Sequence, residues 1–463
     1  SYADLAAQTG EPLREVCFPV PPAPAAELRK LPGYENFDEK QEVLKCTKPG
    51  TGLRDVPKCF SMKLRRVTVD EVGFVPLALE GELEMLYEMR NGARAYSCIL
   101  VKHVDDLKIA GEPASVKRLM EALERTFGKL EVERGCFVHC GIRHMQDPNT
   151  REVSLDQVDF LTAIKEMPYP SVKGTPTEQL LDERQSSHFL SLLMTVAFAM
   201  QTRPDAAVFI TALQRASHKA TVMDARRLNA VLRWMQQTPK KIWFRKLERY
   251  PDSLVLLADS AFKAEKDTGL SVGGMLAFRC CRDQLGVEGS AGTRVHECTT
   301  TGEIHGHLIE WVSKTQRHVT RATFASELYG GTDAVDQGKI LQLSLHELRA
   351  GPGSLDDLRT LSREGELKVA LILVLDAMSV VAAIAAPTIK TPAESGLLVH
   401  AKWMREQLDS NQLWCICWGD TRSMAADGLT KGTVDRQALH DVMNGHWKLD
   451  QPLKVWRSPM AAR

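Results

Sequence analysis

The sequence predicts a multidomain protein of mixed α/β and α+β class. A β-hairpin with helices comes first, and a mixed five-stranded sheet flanked by helices follows. Three observations carry this reading. At 463 residues the chain is long enough for two or three domains, each with its own core. Around Val104 two short apolar runs bracket a polar turn, which is a hairpin pattern. From about residue 252 onward, three strand-length apolar runs precede a long helical stretch, after which strand and helix alternate.

Taken in order, residues 1–60 read as irregular, with prolines at Pro19, Pro21, Pro22 and Pro24. A glycine-rich turn, 48–54, leads into a helix predicted over 57–66. After the hairpin, Val116, Leu119, Met120, Leu123 and Phe127 recur at helical spacing and predict a helix over 114–127. Residues 171–185 are polar with Pro and Gly, a linker pattern. Helices are predicted over 189–199 and 208–216, on either side of Thr202-Arg203-Pro204-Asp205. In the last block, strands are predicted at 254–258, 270–278, 307–312, 368–375 and 413–418, and helices at 323–349, 379–386 and 397–408. The polar stretch 279–306 reads as a long loop or insertion. The domains predicted are therefore 1–170, 171–250, 251–446 and a tail, 447–463.

Formal net charge is zero, which excludes a molecule that binds polyanions over its whole surface; any nucleic-acid surface must be a local patch. One stretch fits. From Arg215 to Lys246 there are nine Lys or Arg against a single acid, Asp224, with Trp234 and Trp243 interleaved. Arg226, Arg227, Arg233, Lys240 and Lys241 are its candidate phosphate contacts, and the alternative is a solvated helix face with core tryptophans. The eleven cysteines include no Cys-x-x-Cys pair. Cys136 and Cys140 lie near His139 and His144, but a second pair at ligand spacing is lacking, so buried free thiols are the better reading. An odd cysteine count without a secretory signal predicts a reducing, intracellular setting. The apolar run 369–386 contains Asp376 and ends at Pro387, which predicts a buried strand and helix rather than a membrane span.

Two groups of carboxylates carry chemistry. The hairpin turn holds Asp105-Asp106, whose mutual repulsion is relieved by a hard divalent cation such as Mg²⁺; the alternative is an acidic turn that only closes the hairpin. In the last block Asp259 ends the first apolar run, Glu327 lies one turn into the long helix, Asp376 ends the central strand, and Asp427 opens a final helix. Carboxylates at the ends of core strands converge on one edge of a sheet. With two divalent ions, Mg²⁺ or Mn²⁺, they form a site for in-line attack of water on a phosphodiester.

These motifs resemble the polymerase and RNase H parts of copia-type retrotransposon polyproteins. Lys102-His103-Val104-Asp105-Asp106 is similar to the Tyr-x-Asp-Asp box of reverse transcriptases, with His103 in the Tyr place. The segment 46–57 resembles the family's Tyr-Gly-Leu-Lys-x-x-Pro run, and the stretch from Phe127-Gly128 through Cys140-Gly141-Ile142 its region after the box. Thr202-Arg203-Pro204-Asp205 resembles the connection segment, and 228–237 the Val-Leu-Arg-Tyr-Leu helix. Trp311-Val312-Ser313-Lys314, Ser326-Glu327-Leu328-Tyr329 and Ala426-Asp427-Gly428-Leu429-Thr430-Lys431 resemble RNase H landmarks. The resemblance implies a partial reverse-transcriptase palm, then a basic helical thumb or connection, then an RNase H-like sheet. It implies Asp259, Glu327, Asp376 and Asp427 as acids of a site that cuts RNA in RNA–DNA hybrids, with Asp105 and Asp106 as polymerase acids. It implies primer-template, deoxynucleotides and other parts of the same polyprotein as partners, no membrane, and a place in cytoplasmic virus-like particles and the nucleus. Two departures bear on polymerase activity. A third carboxylate upstream of the Gly-Leu-Lys segment is not found in residues 1–45, and the start at Ser1 leads us to expect a truncated piece with impaired DNA synthesis. His103 also lacks the reach of a Tyr phenol. A non-catalytic nucleic-acid binder is the rival expectation.

Overall fold

A computed structural model describes all residues except 1–6, 8–14, 47–52, 54, 91–92, 169–175, 265–268, 288–293 and 463. Most of the glycine-rich turn 48–54, the start of the predicted linker and part of the 279–306 stretch thus lie outside the described residues. Backbone packing divides the chain into two compact units, Ser1–Val132 and Glu133–Arg463.

In the first unit β1 (Cys17–Phe18) pairs with β2 (Leu44–Lys45). A four-stranded antiparallel sheet then runs in the order β3 (Val75–Pro76), β4 (Leu83–Arg90), β5 (Ala93–His103) and β6 (Asp106–Gly111). The helix Pro113–Phe127 matches the predicted periodicity: Leu119, Ala122 and Leu123 bury themselves against Leu86, Cys98 and Leu100 of the sheet. The helix predicted at 57–66 is Val56–Arg65.

The second unit begins with β7 (Cys136–His139), β8 (Ile142–Gln146) and β9 (Val153–Asp156), which with β10 (Ile242–Phe244) make a four-stranded antiparallel sheet. After β9 and the short helix Val158–Ala163 come three longer helices: Glu183–Phe198, Ala207–Ala216 and Val222–Gln237. Capping boxes start two of them, Asp182 with Gln185 and Thr221 with Asp224, so the first-turn amides are satisfied locally. Phe189, Leu193, Ile210, Leu228 and Leu232 form their shared core.

The largest layer comprises β11 (Ser253–Ala261), β12 (Leu270–Cys280), β13 (His296–Glu297), β14 (Gly302–Val319), β15 (Ala370–Leu375), β16 (Cys415–Trp418), β17 (His446–Leu449) and β18 (Lys454–Trp456). The order is β13-β18-β16-β15-β11-β12-β14-β17, with β11, β15 and β16 parallel. The five strands anticipated from the sequence are its centre, but the sheet has eight among the described residues, not five. The extra edges come from the end of the 279–306 stretch and from residues read as a tail. Trp447 and Trp456 explain the difference, since each is 1% exposed and holds its short strand onto the core.

Both faces of this sheet are covered, which is why β11 and β15 read as unbroken apolar runs. Alternate residues divide between two cores. Leu254, Leu256, Leu371 and Leu373 face the helices Thr323–Ala350, Met378–Ala385 and Leu397–Asp409. Val255, Leu257, Ile372 and Val374 face the opposite core with Leu429, Leu439 and Val442. Each such aliphatic side chain contributes about 1.5–3 kcal/mol when removed from water. Among the described residues, no helix is long and apolar enough to cross a membrane.

Candidate metal centre

Parallel pairing brings the acids together. Ala258 of β11 lies opposite Leu375 of β15, so the next residue on each strand, Asp259 and Asp376, emerges at the same edge. Asp259 is also paired with Gly274 of β12. A β-carbon at Gly274 would sit 2.7 Å from Thr430 Cγ2 and 2.9 Å from Leu429 Cβ. Glycine there lets the short helix Asp427–Thr430 rest on the sheet and bring Asp427 to the edge. One oxygen from each of Asp259, Asp376 and Asp427 lies within 4.8 Å of the others. Glu327, on the helix Thr323–Ala350, joins them closely enough to repel Asp259 and Asp376.

The electrostatics are those of crowded acids. Burial, then Asp259 and Asp376, push the Glu327 carboxyl up to about 9. Burial and Asp259 hold Asp427 at about 7 despite Lys431, and they raise Asp376 too. Lys431 relieves part of this repulsion. Its Nζ lies 3.1 Å from Asp259 and 2.8 Å from Asp427, and against its own burial these two acids hold its proton more tightly than usual. Thr430 donates to Asp259, and Thr421 Oγ1 donates to Asp376 at 3.2 Å. Glu327 Oε2 is buried without a hydrogen-bond partner among the described residues.

This donor set fits a hard divalent cation. It is all oxygen, clustered and short of positive charge, and one buried oxygen has no other partner. Asp259, Asp376 and Asp427 would hold the ion, with Glu327 beside them. Lys431, Thr430 and Thr421 were not singled out from the sequence. Their one readable signal is the four-residue spacing of Asp427 and Lys431, which puts both on one helix face.

No family model matches the chain. Two curated relatives do: the retrovirus-related Pol polyproteins from transposons RE1 and RE2 of Arabidopsis thaliana, each 23% identical over 313 residues, 65% of this chain. The chain is thus similar to retrotransposon Pol polyproteins. It spans 19% of the length of each of these relatives. The copia-type Pol resemblance drawn from the motifs is thereby upheld.

The other residues singled out for Pol-type chemistry have different surroundings. Asp105 and Asp106 are exposed at the β5–β6 turn, where His103 pairs with Asp106. Val104 takes a left-handed φ of 56°, unusual for a β-branched residue. Among the described residues these acids do not join a third ligand; the group at Asp259 is the one cluster there whose geometry could hold a metal ion. In the basic stretch, Arg227 pairs with Asp224 and Arg233 with Glu166, each at 3.3 Å, and Lys241 lies 3.6 Å from Asp156. Arg226 and Lys240 are half-buried. All eleven cysteines are free. Six are buried as anticipated, but Cys136 is exposed and Cys140 half-buried, because the β7–β8 hairpin carries them at its margin.

Proposed function

We propose that residues 251–446 form an RNase H-type endonuclease that uses two divalent ions, Mg²⁺ or Mn²⁺, to cleave the RNA strand of RNA–DNA hybrids. The observation that carries this reading is the convergence of Asp259, Asp376 and Asp427 with Glu327 at one edge of a mixed sheet. Bound ions would supply Lewis acidity to an attacking water and to the leaving oxygen. The chain's own residues do the rest. The three aspartates would hold the ions and Glu327 would add a carboxylate beside them, while Thr430 and Thr421 orient Asp259 and Asp376. Lys431 keeps the acids compatible with folding before loading.

In the same reading, residues 1–170 are a partial reverse-transcriptase palm, with Asp105 and Asp106 as two of its acids. Residues 171–250 are a thumb or connection that contributes Arg226, Arg227, Arg233, Lys240 and Lys241 to the nucleic-acid path. Substrates are hybrid and primer-template, partners are other segments of a Pol polyprotein, and the setting is intracellular. DNA synthesis is weak or lost, since Asp105 and Asp106 lack a third acid among the described residues.

The test is incubation with labelled RNA–DNA hybrid and Mg²⁺, with and without deoxynucleotides. Cleavage without extension is the expected result. Salt-sensitive binding with neither reaction would instead favour a non-catalytic nucleic-acid binder.

A further inference from the structure

The amino ends of β11, β15 and β16 border a second cavity, at the pole of the sheet opposite the acids. Six residues of β15 separate the two poles, about 20 Å at strand rise. The cavity holds about 250 Å³. Its charged lining is Arg282, Arg349 and Lys368 against one carboxylate, Asp252. Asp252 is already engaged by the Arg282 backbone amide at 2.8 Å and by its guanidinium at 3.5 Å.

The cations here are packed unusually densely. Trp414, another lining residue, lies between two guanidiniums, Arg282 at 4.8 Å and Arg457 at 4.5 Å from its ring centre. Nearby, Tyr250 carries Arg279 at 4.7 Å and Arg349 at 5.6 Å. Close by, though not lining the cavity, Arg457 Nε, Arg279 Nε and Arg279 Nη2 are buried without hydrogen-bond partners among the described residues. Burial, and then the neighbouring Arg282, loosen Arg457's hold on its proton. Like charges gathered this closely repel, and an anion held by the lining cations Arg282, Arg349 and Lys368 relieves that repulsion. Guanidinium forks match the oxygens of phosphate, and Lys368 adds a point charge at the rim. At roughly 30 Å³ per water, the space equals about eight waters, enough for two linked phosphates.

We propose that this cavity binds a phosphate oxyanion of pyrophosphate size, independently of the carboxylate centre. The site stands whether or not the chain is a nuclease. The test is calorimetric titration of the full chain in EDTA, with inorganic phosphate and then pyrophosphate, in chloride buffer of matched ionic strength. Saturable binding is expected, tighter for pyrophosphate. Arg349→Ala and Lys368→Ala should each weaken it about tenfold, the loss of one charge-assisted contact. Lys368 is exposed and its side chain makes no hydrogen bond or ion pair among the described residues, so Lys368→Ala keeps the test valid if the arginine variant is unstable. Competition with short DNA bearing or lacking a 5′-phosphate fixes the source. Displacement by the phosphorylated strand alone assigns a nucleic-acid end, and displacement by neither assigns a small phosphate. Absence of saturable heat, or heat undiminished in both variants, would overturn the proposal.

Discussion

Lys431 stands where four acids would otherwise repel one another unopposed, with its side chain 32% exposed and its Nζ touching Asp259 and Asp427. Removing it leaves buried charge uncompensated. Lys431→Met should therefore lower stability in EDTA by about 1–3 kcal/mol, less than a fully buried pair because water reaches the lysine. Mg²⁺ should return more stability to this variant than to the parent, measured by urea unfolding with and without the ion. An equal gain in both proteins would show that Lys431 does not share the charge. Gly274 works differently, by leaving space for Thr430 and Leu429. Gly274→Ala should cost about 1–3 kcal/mol and lower metal affinity, because the Asp427 helix must lift off the sheet; unchanged Mg²⁺ titration would refute that link. The acids themselves were readable, each lying beside a strong apolar run. The reach of Lys431 to Asp259, 172 positions away, and the close approach of Thr430 and Leu429 to Gly274 were not, because those partners are distant in sequence.

Single elements show where sequence patterning stops short. The hairpin and the five central strands follow from apolar runs, whereas β17 and β18 are four and three residues long. Such short runs carry no period, and only the burial of Trp447 and Trp456 reveals them. Pairings such as Arg233 with Glu166 were equally hidden, since 67 positions separate the partners. At the β5–β6 turn, the left-handed φ of Val104 is costly for a β-branched side chain. Val104→Gly should leave the first unit as stable or up to about 1 kcal/mol more stable, read by thermal unfolding. A clear loss would mean that Val104 packs in a way its backbone angle does not suggest. The Thr202–Asp205 motif serves as a clamp. Arg203 donates to both Asp205 oxygens and to the Met235 carbonyl, and His440 Nε2 lies 3.4 Å from Asp205. Against burial, His440 and Arg203 hold the Asp205 carboxyl down at about 2. A lowered folded value means stability that is present above the ordinary carboxylate range and lost as pH falls from about 4 through 2. Asp205→Asn should cost about 3 kcal/mol near neutrality and flatten that acid limb; an unchanged acid transition would assign it to other groups.

The whole chain combines a first unit whose two hairpin acids stand exposed with a second whose acids are buried or half-buried, crowded and short of cations. The surroundings of the two sets separate their expected activities. The measurement that decides between them is Mg²⁺-dependent hydrolysis of a labelled RNA–DNA hybrid by the parent, Asp259→Asn and Asp376→Asn, with circular dichroism of each. We expect cleavage by the parent and a loss of more than about a hundredfold in both variants, with their folds intact. Cleavage undiminished in folded Asp259→Asn, or a folded parent inert towards the hybrid at all Mg²⁺ concentrations, would contradict a nuclease built on these four carboxylates.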